Sequence, residues 1–131
     1  MASVVQNVTV IDWERFAQSR AQLGPRFLRI ITFFREDGGK SVAAIEASLR
    51  VRNAIGMIGP ADLLKNDALQ IGALSVAELA EDIEFAARDC VEWRQAPDAL
   101  LESVMALKAH FAETLELLDR EVNPLLAKRT G

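Results

Sequence analysis

This sequence of 131 residues has one cysteine, one histidine and no tyrosine. A single cysteine, Cys90, rules out an internal disulfide and suits a reducing, cytoplasmic setting. One histidine, His110, far from Cys90, makes no credible metal site, and the Glu-x-x-His pattern of carboxylate-bridged bundle metal centres does not occur. We therefore expect no metal and no cofactor. Gly-rich phosphate loops, GxSxG, HExxH and CxxC are all missing, which argues against an enzyme with its own substrate pocket. There is no excess of basic charge either: the net charge is −4. Without a basic patch, nucleic acid and polybasic membrane contact are poor candidates for partners. No apolar run reaches membrane-spanning length, and the start, "MASVVQNVTVIDWERF", is not a signal peptide in pattern.

What is present is helix-forming residues. Ala, Leu, Glu and Arg are abundant, and half the residues are hydrophobic, enough for one domain with a real core. Strand-like alternation is confined to "VVQNVTVI", so residues 1–10 read as an extended or flexible arm. Asp12 can cap a first short helix carrying Trp13, Phe16 and Ala17 inward, and Gly24-Pro25 ends it. A second helix over about 25–36 buries Phe27, Ile30, Ile31 and Phe34, and Asp37-Gly38-Gly39 reads as a turn. A third, about 40–54, places Val42, Ala43, Ile45 or Glu46, Leu49 and Ala54 at helical spacing.

Pro60 starts or kinks the next helical stretch, whose apolar stripe is Ala61, Leu64, Ala68 and Ile71. After Gly72, Ser75 and Glu78 form a capping-box pattern. The helix over about 76–94 buries Val76, Leu79, Ala80, Ile83, Ala87 and Cys90, leaving Glu81, Asp82, Glu84 and Asp89 on a solvated acidic side. The last helix, about 98–122 or longer, repeats apolar positions at Leu101, Val104, Phe111, Leu115, Leu118, Val122 and Leu125, with Lys108 breaking the seam. Long helices joined by short connections imply an all-α, up-down antiparallel four-helix bundle with one or two short extra N-terminal helices.

One polar face stands out. In "GPADLLKNDALQIGA", residues 59–73, Asp62, Lys65 and Asn66 are neighbours at i, i+3 and i+4. Leu63 and Leu69 border that face, off the apolar stripe, as a docking patch for another protein would. Ala61, Leu64, Lys65, Gly72 and Ala73 match, in register, the A-H-x-L-K-G, five residues, G-A motif of the histidine phosphotransfer (Hpt) domains. The continuation into an acidic amphipathic helix resembles that family too, over about 60–92. The resemblance implies one Hpt-like bundle over 11–131, in a phosphorelay, with a response-regulator receiver domain or a histidine kinase as partner. It implies that the acceptor histidine falls on Asp62, that Lys65 stands where a lysine helps hold the phosphoryl oxygens, and that Asn66 replaces a glycine that leaves room for the receiver.

A carboxylate at Asp62 is anionic where an imidazole is a neutral nucleophile, and its reach is shorter. Asn66 adds bulk where docking needs space. The expectation is a member that docks its partner but does not accept phosphate, with Asp62 and Lys65 neutralising each other. The chain is expected to be monomeric. The alternative is a helical oligomerisation or structural module using the last helix. A shifted acceptor at His110 is weaker, because no lysine and glycine follow at the next turn.

Overall fold

The computed structural model describes residues 9–122. Helix α1 spans Trp13–Leu23, α2 Phe27–Arg50, α3 Ile55–Ile71, α4 Leu74–Glu92 and α5 Leu101–Val122. Short 3-10 turns, Gly24–Arg26 and Pro97–Leu100, precede α2 and α5. Helix α2 packs on α3, α3 on α4, α4 on α5, and α5 back on α2. That closed, up-down-up-down order is the expected all-α four-helix bundle, with α1 as the extra N-terminal helix. No strand occurs among the described residues. Residues 1–8 of the expected arm, and Leu125, lie outside the described residues. Beyond the arm's first eight residues, Val10 packs partly against the core.

The stripe Ala61, Leu64, Ala68 and Ile71 is fully buried, as its spacing requires. Asp12 caps α1, its side chain accepting from the Arg15 backbone N–H at 3.1 Å. Of the residues placed inward on α1, Phe16 is buried, while Trp13 is 43% exposed and Ala17 is exposed.

Four expectations need correction. Asp37-Gly38-Gly39 is no turn: α2 runs unbroken through it, joining the two helices expected over 25–36 and 40–54. The reason is packing. A Cβ on Gly38 would lie 2.7 Å from Phe111 Cε1 and 3.4 Å from Leu64 Cδ1, so the missing side chain lets three helices close. Of the two expectations for Pro60, a helix start is ruled out: the helix begins at Ile55, five residues before the proline, and Pro60 lies inside it. Asn53 helps it start, its side-chain oxygen accepting from the Gly56 N–H at 3.1 Å.

Ser75 does not cap α4. The helix begins at Leu74, Ser75 is buried inside its first turn, and its backbone N–H donates to the Val10 carbonyl. Finally, α5 turns a different register inward: Val104, Leu107, Phe111, Thr114 and Leu118 are buried, while Leu101 is 54% exposed. Lys108 thereby leaves the seam and pairs with Glu46 of α2 at 3.1 Å. Thr114 is tolerated at the seam because its hydroxyl donates to the His110 carbonyl at 2.7 Å.

The α3–α4 corner holds the rest of the motif. Gly72 ends α3 at φ +80°. Its N–H bonds the Leu69 carbonyl at 3.3 Å, and the Ala73 N–H bonds the Ala68 carbonyl at 2.9 Å, the Schellman arrangement. A Cβ on Gly72 would also sit 2.7 Å from the Asp12 carbonyl oxygen, because the start of α1 docks there, Asp12 N–H donating to Gly72 O at 2.8 Å. Gly72 and Ala73 are thus a helix stop and an anchor for α1.

Candidate functional site

The two middle helices meet through small residues, Ala61 and Ala68 on α3 and Ala77, Ala80 and Ala87 on α4, all buried. This close approach lets side chains at the edge of the interface reach across it. Lys65 does so. Its Nζ lies 3.3 Å from Asp62 Oδ1 on the previous turn and 3.1 Å from Glu84 Oε1 on α4. The lysine side chain is 18% exposed, Asp62 45% and Glu84 only 5%. Glu84's other oxygen, Oε2, accepts from Arg88 Nε at 3.2 Å and Nη2 at 3.1 Å. Four charged side chains form one chain of contacts from the surface to the edge of the core, with two positive and two negative charges.

The buried carboxylate is the part most in need of partners. An ionised carboxylate in an apolar interior is strongly unfavourable unless paired and hydrogen-bonded. Both Glu84 oxygens are engaged, one by each cation. In return Glu84, and secondly Asp62, hold the Lys65 ammonium charged and push its pKa above the ordinary lysine value. Lys65 is therefore a fixed cation at neutral pH.

The residues expected at this face distribute as follows. Asp62 and Lys65 come together as the expected i, i+3 pair. Asn66 is exposed one turn further on, and Leu63 is 56% exposed beside it. Leu69, expected at the surface, is partly buried against the core. On the acidic side of α4, Glu81, Asp82 and Asp89 are exposed as expected, but Glu84 is the exception: it is buried, and it holds Lys65 and Arg88. A signal was available, because Ala77, Ala80, Glu84 and Ala87 repeat at steps of three, four and three, and Arg88 follows Glu84 at i+4. Phe85, next to Glu84, is 54% exposed and adds an apolar side chain on the solvent side of α4.

A second pair of carboxyls was also missed. Asp67 follows Asn66 and turns toward α2. One of its oxygens, Oδ2, is buried without a hydrogen-bond partner. Its burial, and then the Asp37 carboxylate beside it, push its pKa above the usual aspartate value.

His110 and Cys90 stand apart from this face. His110 lies on α5, partly buried, with Nδ1 enclosed and unpartnered. Cys90 is partly buried, its sulfur 3.8 Å from the Ala96 carbonyl oxygen. No group of three or more metal-binding side chains occurs among the described residues. No helix among them is long and apolar enough to cross a membrane.

Comparison with known proteins adds the fold's relatives. No family model and no curated protein matches this sequence. Among solved structures, histidine-containing phosphotransfer protein B from Pseudomonas aeruginosa superposes with a TM-score of 0.76 at 17% identity, over 88% of this chain and 96% of that one. A rice protein described as a histidine-containing phosphotransfer protein superposes with a TM-score of 0.66 at 20% identity, over 87% of this chain and 86% of that one. The chain has the fold of these phosphotransfer proteins.

Proposed function

We propose that this chain is an Hpt-like signalling protein that docks a receiver domain or a histidine kinase through the α3 face and does not itself accept phosphate. The sequence resemblance puts Asp62 at the motif's histidine, and the observation that carries the reading is that this carboxylate, on a phosphotransfer-protein fold, is tied to Lys65 at 3.3 Å. Imidazole chemistry at that point is replaced by a short, anionic side chain already engaged in an ion pair. Asn66 fills the position where the motif has a glycine. The frame that places the face is kept: the buried stripe, the Gly72-Ala73 stop and the lysine.

The competing readings have less to stand on. Of the apolar seam that would make α5 an oligomerisation helix, Val104, Phe111 and Leu118 are buried inside the bundle, while Leu101 is exposed. His110 has Glu113 and Thr114 at the following turn, and its Nδ1 is enclosed.

The test is binding of purified receiver and kinase domains from the source organism to the immobilised protein, with Leu63→Arg as the control. Leu63 is exposed, so its replacement leaves the fold intact and places a bulky cation in the docking face. The expected result is capture of at least one receiver or kinase, lost with Leu63→Arg. Capture of none, or capture indifferent to Leu63→Arg, contradicts the proposal.

A further inference from the structure

A face that docks a receiver meets it in one of two states, with or without a phosphoryl group on its aspartate. The charges on this face discriminate between them. Lys65 is the only cation that the motif turn of α3 presents, and both carboxylates near it have claimed it, at 3.1 and 3.3 Å. An ammonium has three N–H donors, so Lys65 could turn its remaining one to a phosphoryl oxygen without leaving Glu84, but its charge is already divided between two carboxylates, one of them 5% exposed and dependent on it. Arg88 is committed to the same carboxylate through Nε and Nη2.

Asp62, by contrast, keeps nearly half its side chain in solvent at the centre of the face. An incoming phosphoryl group therefore meets an exposed negative charge with its neutralising cation already shared. Like charges brought together at an interface are strongly disfavoured.

We infer that this protein selects the unphosphorylated form of its receiver partner, with Asp62 as the specificity-determining residue. It would hold that form and release the receiver on phosphorylation. This rests on the docking reading above and names the state of the partner it recognises.

Isothermal titration of a receiver domain at fixed Mg2+, with and without beryllofluoride as the phosphoryl mimic, tests it. Binding is expected to weaken by about tenfold or more when beryllofluoride is present. Asp62→Asn is expected to bring the two affinities within about threefold, by tightening binding of the beryllofluoride form alone. A change in the receiver's own shape would weaken parent and variant alike, so discrimination that survives Asp62→Asn overturns the assignment. Equal or tighter binding of the beryllofluoride form by the parent protein overturns the inference and leaves docking standing. No binding of either form by any receiver overturns docking to a receiver, and the inference with it, while capture of a kinase in the test above would leave the docking face standing.

Discussion

Asp62, Lys65, Glu84 and Arg88 form one network of charges running from the surface to the edge of the core. Lys65 sits where the motif has it, yet its charge is used internally, between a surface carboxylate and a buried one. Half of that arrangement was legible in the sequence: i, i+3 spacing is enough to pair Asp62 with Lys65. Glu84 was only half legible: its spacing with Ala77, Ala80 and Ala87 puts it on the buried side, but an acidic run on an amphipathic helix looks solvated until the facing helix supplies a cation. Asp67 was missed for a related reason. Nothing in the sequence places Asp37 beside it, since the Gly-Gly after Asp37 suggested a turn rather than a helix crossing α3.

The Asp67 carboxyl carries a pH prediction. Its folded pKa is raised, first by burial and then by Asp37, so the folded state binds the proton more tightly than the unfolded chain. Ionised Asp67 thus opposes folding at neutral pH, and the opposition fades as the pH falls through its raised folded pKa. Asp67→Asn is expected to raise the urea midpoint at pH 7 and to leave it nearly unchanged at pH 3, where both forms are neutral. Carbon-13 NMR titration of the carboxyls should also show the Asp67 pKa falling in Asp37→Asn.

Helix α2 makes the case at the scale of elements. Two consecutive glycines after an aspartate are a strong turn signal. The helix continues because Gly38 is where the Phe111 ring lies, and Phe34 packs on the same ring with centroids 5.4 Å apart. Packing of one face overrides the poor helix propensity of two residues. The glycines are therefore not equivalent. A methyl group on Gly39 would meet nothing within 4 Å, so Gly39→Ala should stabilise the protein by about 0.5–1 kcal/mol through the helix preference of alanine. Gly38→Ala must displace Phe111, which is 7% exposed, and should destabilise by about 1–3 kcal/mol. Chemical denaturation of the two variants reads both signs. Helix α5 teaches a similar lesson. Two interleaved registers share Val104, Phe111 and Leu118, and periodicity alone cannot choose between them. The bundle takes the one with Leu107 and Thr114, which lets Lys108 reach Glu46 in solvent.

For the whole molecule, the four-helix bundle and its antiparallel connection were legible, because the stripe on α3 and the short loops leave few ways to bury the core, whereas the helix count was not, since the helices expected over 25–36 and 40–54 are one. The motif's Gly72-Ala73 pair belongs to this scale: it stops α3 and receives α1, and so is kept by the fold whether or not phosphate is ever carried. What the sequence pattern leaves to chemistry is narrow, two positions on one face. That narrowness makes the central claim testable by restoring them. Intact-mass analysis after incubation with phosphorylated receiver domains should compare the parent protein, the double variant Asp62→His with Asn66→Gly, and His110→Gln. The account predicts no phosphate on the parent or on His110→Gln, and acid-labile phosphate on the double variant. Phosphate on the parent protein, above all if His110→Gln abolishes it, would contradict the claim that this fold has given up its acceptor.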